Sequence, residues 1–327
     1  MLRPELPALV LAPMDGITDA PMRAFMGQSG AFSYAVSEFI RVSTDPIPPR
    51  VFRRDVPEVE QDCLTSSGLP VQVQILGGHA ERMAISAINA MRAGARSIDI
   101  NFGCPAPTVN RNDGGATLLK YPDRIREVVR AVRDAVPLSI PVSAKLRLGW
   151  ESIEDIHVNA AMAAEGGASW LTIHARTRAQ GYAPPVFWRP IGQVYRALGI
   201  PVIANGDIWT LDDFRRCQDE TGVRHFMIGR SALANPTLPV LIAQELGIFH
   251  GVLREQTWLE LFQSLTLLIR KHCGERDDLG LMKLKQWMKL AHRHGDFPYF
   301  HELKAKESQA EFFGALRGLE RVLVTSS

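Results

Sequence analysis

The chain lacks several features that would assign it to a class at once. No apolar run approaches the roughly 18 residues needed to cross a bilayer, and the first residues carry no long apolar core of a secretory signal. The cysteines are few and form no Cys-x-x-Cys pair, so neither a disulfide scaffold nor a zinc site is indicated. The formal net charge is only +2, so binding to nucleic acid would need a local basic patch. We therefore expect a cytoplasmic protein with no membrane segment and no metal ion.

Short apolar segments alternate with helical ones along the first three quarters of the 327 residues. The predicted strands are residues 8–14, 34–39, 71–77, 97–102, 142–148, 170–175, 202–205 and 226–229. Eight strands alternating with helices over about 240 residues favour a (β/α)₈ TIM barrel of the α/β class. A doubly wound sheet is the weaker alternative, because it would have fewer such units and the first turn lacks a Gly-x-Gly-x-x-Gly fingerprint.

After residue 247 the strand signals stop, and helices are predicted over residues 257–272, 281–294 and 302–324. We therefore expect a barrel over residues 1–246 and a small all-α helical bundle over residues 247–327. The middle helix has two faces. Its apolar residues are Leu284, Trp287, Met288 and Ala291, and its basic ones are Lys285, Lys289 and Arg293. The basic face either holds phosphates or is an ordinary solvated surface.

Polar side chains end most of the predicted strands, where barrels place their chemistry. They are Asp15, Glu38, Arg41, Gln74, Asn101, Cys104, Lys145, Arg147, His174, Arg176, Asn205, Asp207, Arg230 and Ser231. Cys104 lies in the loop after the fourth strand, within a segment that runs from residue 97 to 119, where Pro105 and Pro107 restrict the backbone. A cysteine in that position can meet a ligand.

Two of these strand ends predict a phosphate site. Asn205-Gly206-Asp207 and Gly229-Arg230 follow strands seven and eight, where barrels commonly bind phosphate through backbone N–H groups. The alternative is that both are merely tight turns. Gln74 and Lys145 suit a flavin ring, because a lysine stabilises the negative charge of the reduced ring. The alternative for Lys145 is an ion pair inside the barrel.

Six motifs together resemble the tRNA-dihydrouridine synthases, in the same order along the chain. They are Ala-Pro-Met-Asp-Gly-Ile-Thr-Asp at 12–19, Asn-Phe-Gly-Cys-Pro at 101–105, Lys-Leu-Arg-Leu-Gly-Trp at 145–150, His-Ala-Arg-Thr at 174–177, Asn-Gly-Asp-Ile at 205–208 and Ile-Gly-Arg at 228–230. The resemblance implies an FMN-dependent barrel, a C-terminal helical domain and NADPH-driven reduction of a uridine in tRNA. Phe102 and Ala175 depart from the commoner family pattern without removing a reacting group.

The resemblance also assigns individual residues. The residues implied for tightly bound FMN are Pro13, Met14, Gln74, Lys145, His174, Asn205, Gly206, Asp207, Gly229 and Arg230. Those implied for the target nucleotide and the tRNA are Arg41, Asn101, Arg147, Arg176, Tyr182, Lys283 and Lys285. Residues 38–41 and 283–287 resemble the branch of the family that modifies uridine 16 in the D-loop, near the tRNA elbow. Cys104 matches the family's proton donor.

The implied reaction transfers a hydride from N5 of reduced FMN to C6 of uracil and a proton from Cys104 to C5. Cys104 must then stay a thiol, whereas a nucleophilic cysteine would need a lowered pKa. The uridine has to flip out of the tRNA to reach the barrel, and we expect a monomer to do this. Two alternatives remain: a small-molecule flavin reductase of the dihydroorotate or dihydropyrimidine dehydrogenase kind, and a non-catalytic RNA-binding protein that keeps the barrel as a scaffold.

Overall fold

The computed structural model describes residues 1–110 and 113–324 of the chain. Positions 111 and 112 of the predicted Cys104 loop, and the last three residues of the predicted C-terminal domain, lie outside the described residues. Eight parallel strands close into a barrel in chain order, with β1 paired to both β2 and β8. The strands are β1 (Ala8–Leu11), β2 (Tyr34–Arg41), β3 (Val71–Leu76), β4 (Ile98–Asn101), β5 (Val142–Arg147), β6 (Leu171–His174), β7 (Val202–Asn205) and β8 (His225–Ile228).

Helices surround the barrel and continue beyond it. Those up to the last strand are α1 (Ala20–Gly27), α2 (Pro49–Asp55), α3 (Ala80–Ala93), α4 (Pro107–Asn110), α5 (Pro122–Ala135), α6 (Asp155–Glu165), α7 (Arg189–Ala197) and α8 (Leu211–Thr221). Short 3₁₀ helices cover Pro57–Glu60 and Gly115–Lys120. The later helices are α9 (Arg230–Ala234), α10 (Leu238–Glu245), α11 (Trp258–Cys273), α12 (Asp277–His294), α13 (Phe300–Leu303) and α14 (Gln309–Val324).

The predicted (β/α)₈ barrel is confirmed, and all eight predicted strands are present. The first strand is shorter than predicted, because it ends at Leu11 instead of residue 14. Pro13 has no N–H to continue a strand ladder, and the N–H of Met14 donates instead to the Thr18 hydroxyl at 2.7 Å. Met14 and Asp15 therefore belong to the loop above the barrel.

Among the described residues, two apolar clusters stabilise this architecture. The larger lies between the strands and the helices and continues into the C-terminal helices without a break. The smaller lies inside the barrel and consists of Val10, Ala12, Tyr34, Val36, Trp170, Ile203 and Met227. Those side chains come mainly from β1, β2, β7 and β8, so the apolar filling occupies one side of the barrel interior.

The C-terminal helices join the barrel through the predicted apolar face of α12, which is buried. Trp287 is the centre of this contact: its ring centroid lies 4.9 Å from that of Phe25 on α1, and its indole N–H donates to the Leu233 carbonyl at 2.8 Å. In α11, Thr257 and Glu260 form a reciprocal capping box, because each side chain accepts from the other's backbone N–H.

The single helix predicted over residues 302–324 is wrong, because the structure divides it into α13 and α14. The break is explained by Ser308, whose hydroxyl accepts from the backbone N–H of Glu311 at 3.2 Å. Serine in this position caps a new helix rather than continuing an old one.

Helix α12 crosses the rim of the barrel at the carboxyl ends of the strands. Near its start the Lys283 ammonium donates to the Gly16 carbonyl at 2.9 Å and pairs with Asp19, 2.8 Å away. At its end the His294 ring stacks on Trp209, with centroids 5.0 Å apart. The helix therefore forms one wall beside the mouth of the barrel. Among the described residues, no helix combines the length and the apolar character that crossing a membrane requires.

Candidate active site

A cavity of about 930 Å³ opens at the carboxyl ends of the strands. All the predicted site residues except Arg176, Lys283 and Lys285 line it. They are Pro13, Met14, Arg41, Gln74, Asn101, Cys104, Lys145, Arg147, His174, Tyr182, Asn205, Gly206, Asp207, Gly229 and Arg230. The lining has five cationic side chains against two carboxylates, which favours an anionic ligand.

The loop that carries Cys104 is anchored at its first turn by Asn101, the last residue of β4. The Asn101 side-chain oxygen accepts from the backbone N–H of Gly103 at 2.8 Å and from that of Cys104 at 3.0 Å. Arg147 holds the same turn from β5 by donating to the Gly103 carbonyl at 2.8 Å. The Cys104 thiol is thereby presented to the cavity in a defined place.

The Cys104 thiol has a raised pKa. Burial is the largest cause, and the carboxylate of Asp15 adds to it, while Arg147 and Arg41 act in the opposite direction. The thiol is therefore protonated at neutral pH. This suits a proton donor and not a thiolate nucleophile.

Lys145 and His174 present nitrogen atoms from β5 and β6. The Lys145 ammonium donates to the Asn205 side-chain oxygen at 3.0 Å, and burial followed by the charge of Arg147 lowers its pKa to about 8. Burial and the surrounding cations, Arg147 first, hold the pKa of His174 well below its usual value, so its imidazole is neutral. The Nδ1 atom of His174 is buried and finds no hydrogen-bond partner among the described residues. It can therefore accept or donate a hydrogen bond to a ligand.

Two glycines keep space open beside β7 and β8. Gly206 has φ of 121°, and a Cβ there would come within 3.3 Å of the Ala175 nitrogen. A Cβ on Gly229 would lie 3.1 Å from the Met14 sulfur. The positive φ of Gly206 favours glycine whatever space is available. At Gly229 a Cβ would fit only if its neighbours moved by a few tenths of an ångström.

Asp207 lies between two arginines. Arg176 pairs with both of its carboxylate oxygens, and Arg230 donates to one of them at 3.0 Å. Burial opposes ionisation here, but the hydrogen bonds and charges of these arginines hold the pKa of Asp207 below its usual value. Arg230 therefore reaches the predicted phosphate end of the cavity already paired with a carboxylate.

Arg176 differs from the sequence prediction, which places it against the target nucleotide. Its side chain is fully buried, and besides Asp207 it donates to the Ala183 carbonyl at 2.7 Å. A direct contact with RNA would require this ion pair to open. In the structure Arg176 instead secures the loop after β6 against the loop after β7.

Tyr182 is the exposed aromatic residue at the mouth, with 57% of its surface accessible. The guanidinium groups of Arg147 and Arg230 lie 5.2 and 4.8 Å from its ring centroid. Trp209 extends this layer, because Arg230 also lies 5.2 Å from a Trp209 ring. Alternating cationic and aromatic groups of this kind can stack on a flat base or ring.

The remaining predicted contacts lie at the edge. Arg41 lines the cavity and donates to the Thr108 carbonyl at 3.3 Å. Lys283 is held by its barrel contacts, with 15% of its side chain exposed, and Lys285 is half-buried on the same helix outside the cavity. Among the described residues, no group of three His, Cys, Asp or Glu side chains is arranged to hold a metal ion.

Sequence reasoning missed Trp209, Arg178 and Asp99. Trp209 and Arg178 line the cavity, and both lie within two residues of motifs quoted above, at 205–208 and 174–177. Asp99 lies two residues before Asn101 on β4, so strand alternation places both on the inner face. That spacing was the available signal.

Comparison with known proteins gives consistent matches. The profile described as "Dihydrouridine synthase (Dus)" matches residues 10–315. The tRNA-dihydrouridine(16) synthase of Vibrio parahaemolyticus is 46% identical over 90% of this chain and 89% of its own length. That of Shewanella oneidensis is 39% identical over 94% of this chain and 96% of its own length. Among solved structures, a 2-naphthoyl-CoA reductase complex matches with a TM-score of 0.56, 11% identity and coverage of 73% of this chain and 50% of that one. The last likeness concerns the barrel fold alone.

Proposed function

Because the chain belongs to the dihydrouridine synthase family, we propose that it reduces a uridine of tRNA to 5,6-dihydrouridine. The relatives' names support uridine 16 as the position. We further propose FMN as the bound cofactor, NADPH as the reductant and a monomer in the cytoplasm as the working form. The observation that carries the proposal is the protonated Cys104 thiol in a cavity lined by amide and cationic side chains.

The lining of the cavity fits a flavin mononucleotide. Gln74, Lys145 and His174 offer polar atoms to a ring edge, and the Nδ1 of His174 has no partner among the described residues. Asn205, Gly206, Asp207, Gly229 and Arg230 would surround the phosphate, and Pro13 and Met14 would contact the ring through their backbone. When bound and reduced, the flavin supplies the hydride.

Cys104 would supply the proton. A thiol whose pKa is raised by burial holds its proton at neutral pH and releases it only to a carbon that develops negative charge. Asn101 and Arg147 fix the turn that carries it. The uracil ring would be held between Cys104 and the cofactor, with Tyr182 and Arg41 at the entrance.

We propose that residues 247–327 form the tRNA-binding domain. Helix α12 lies beside the mouth, where Lys289 and Arg293 are exposed and Lys285 is half-buried. Residues 270–294 carry seven lysines and arginines against three acidic residues, which favours contact with a phosphate backbone. Lys283 would act by holding this helix on the barrel.

The decisive experiment is anaerobic. The purified protein is reduced with NADPH, unmodified tRNA is added, and flavin reoxidation is followed while dihydrouridine is mapped by position. Cys104→Ala should still bind FMN and accept electrons from NADPH, but stall with tRNA. Cys273→Ala is the matched control, because Cys273 is exposed at the end of α11 and does not line the cavity.

Each outcome has a defined meaning. Fast reoxidation with new dihydrouridine at position 16 supports both reaction and position, and product at another D-loop site overturns the position only. Normal turnover by Cys104→Ala rejects its role as the acid. Oxidation by orotate or free pyrimidines without a response to tRNA replaces the proposal with a small-molecule reductase. A protein that binds tRNA and flavin but never reoxidises with tRNA would be a binding scaffold.

A further inference from the structure

A chain of hydrogen bonds runs from the interior of the barrel to the Cys104 loop. The Gln74 amide nitrogen donates to Asp99 at 2.7 Å, and the Asn101 amide nitrogen donates to the Gln74 side-chain oxygen at 2.8 Å. The Asn101 oxygen then accepts from the backbone N–H groups of Gly103 and Cys104. Asp99 is 2% exposed and does not line the cavity.

The groups at the two ends of this series of hydrogen bonds determine which atom donates and which accepts at each step. The backbone N–H groups of Gly103 and Cys104 can only donate, so Asn101 must turn its oxygen towards them. At the other end, the Gln74 amide nitrogen donates to one Asp99 oxygen and the Ser143 hydroxyl donates to the other, so the carboxyl group is the acceptor of both hydrogen bonds. The side-chain amides of Asn101 and Gln74 are then left with the nitrogen of Asn101 facing the oxygen of Gln74, so every hydrogen bond in the series pairs a donor with an acceptor.

We propose that Asp99 is a positioning residue that holds the Cys104 loop in place through Gln74 and Asn101. The expected effect on catalysis rests on the proposed function, since a displaced Cys104 would deliver its proton poorly. The structural part, that Asp99 orders the backbone at residues 103 and 104, stands by itself. Asp99 does not line the cavity, so its hydrogen-bonded route to the Cys104 loop runs through the two amides.

The carboxylate is needed because both of its oxygens meet donors. Gln74 donates to one oxygen, and the Ser143 hydroxyl donates to the other while itself accepting from Gln72 at 3.0 Å. Burial raises the pKa of Asp99, but these two hydrogen bonds and the nearby Lys145 charge oppose the rise. An asparagine at position 99 has one acceptor oxygen for two donors. Because the Ser143 hydroxyl already accepts from Gln72, we expect it to keep donating to the asparagine oxygen. The asparagine NH₂ group then faces Gln74, and the Gln74 amide has to turn over, which reverses the direction of the hydrogen bonds to Asn101.

Asp99→Asn and Gln74→Met test the inference in a double-mutant cycle. The readout is hydrogen exchange of the backbone amides of Gly103 and Cys104, followed by mass spectrometry on the purified protein. Each single variant should speed exchange at these amides by about tenfold, because the Asn101 anchor is no longer oriented. The double variant should exchange no faster than Gln74→Met alone, because Asp99 acts through Gln74.

Ser97→Ala is the matched control. It removes a buried hydroxyl that contacts Gln72, next to β4 but outside the chain to Cys104, so exchange at residues 103 and 104 should stay at the wild-type rate. If Asp99→Asn fails to fold, the comparison of Gln74→Met with Ser97→Ala still decides whether this series of hydrogen bonds orders the backbone at residues 103 and 104. Additive effects of the two single changes, or unchanged exchange in Gln74→Met, would overturn the inference.

A second readout separates this inference from the proposed function. In folded Asp99→Asn, flavin that has first been fully reduced by NADPH should be reoxidised by tRNA about tenfold or more slowly than in wild type. Faster amide exchange in the variant, with a wild-type protein that does not respond to tRNA, would keep the positioning role and reject the reaction. If the wild-type enzyme is active on tRNA and amide exchange at residues 103 and 104 is normal in every variant, the reaction stands and the positioning role is rejected.

Discussion

The buried positive charge of Lys145 lowers the stability of the folded protein. Lys145→Met should therefore make the flavin-free protein more stable at pH 7. Its pKa is lowered from 10.5 to about 8, first by burial and then by Arg147. At about 1.4 kcal/mol per pKa unit, keeping the ammonium charged costs about 3 kcal/mol. The variant leaves the Asn205 oxygen without its donor, which costs about 1 kcal/mol. The expected net gain is about 2 kcal/mol in the free energy of unfolding.

The sign of the pH dependence follows from the lowered pKa. Between about pH 8 and pH 10.5 the unfolded chain binds a proton at this lysine that the folded protein does not bind. Wild-type stability therefore rises with pH in this window relative to the variant, and below about pH 8 the full penalty is present. The advantage of Lys145→Met should be largest at pH 7 and should vanish by about pH 10.

Urea unfolding of both flavin-free proteins from pH 7 to pH 10 measures this difference, because the substitution removes the Lys145 ammonium and no other titrating group. Lys289→Met is the matched control, since Lys289 is exposed on α12, and this variant should be no more stable than wild type at pH 7. The reasoning is refuted if Lys145→Met is no more stable than wild type at pH 7, or if the difference between them is constant across the range. Flavin affinity should fall in Lys145→Met and not in Lys289→Met.

Three further results are expected. Arg176→Lys should lower the free energy of unfolding by about 3 kcal/mol in urea titrations, because the buried Arg176 side chain pairs with both oxygens of Asp207 and lysine cannot. An unchanged midpoint would contradict this. Trp287→Ala should cost about 4 kcal/mol, since its ring joins the C-terminal helices to the barrel; a destabilisation below about 1 kcal/mol would contradict that role. Replacing Lys285, Lys289 and Arg293 by alanine should reduce the slope of log tRNA affinity against log salt by about one for each phosphate that is no longer neutralised, and an unchanged slope would reject the basic face.

The barrel could be predicted from the sequence because short segments rich in β-branched and apolar residues alternate with segments of helical periodicity. Barrel closure then brings every strand end to one rim, so residues as distant as Gln74 and Arg230 could be assigned to one cavity without any contact being known. Cys104 was identifiable for the same reason, since it follows the end of β4.

The relations between loops could not be predicted in this way. The burial of Arg176 depends on the loop after β6 folding back to offer the Ala183 carbonyl, and no local pattern encodes that return. The stack of His294 on Trp209 joins residues that are remote in sequence and depends on how α12 lies across the rim. Both are tertiary contacts whose residue types are common in other settings.

The barrel interior has an apolar side and a polar side, and the candidate site lies above the polar side. Barrel interiors are usually filled by bulky apolar side chains, and Val10 on β1, Ile203 on β7 and Met227 on β8 are of this kind. Strands β3, β4 and β5 instead turn Gln72, Gln74, Asp99, Ser143 and Lys145 inward, where they bond to one another or to the cavity wall. Polar groups buried at this depth are tolerated only when their partners are fixed. These fixed partners also hold Cys104 and Lys145 in defined positions. Polar side chains therefore replace apolar ones on the side of the interior where the proposed chemistry needs rigid polar groups.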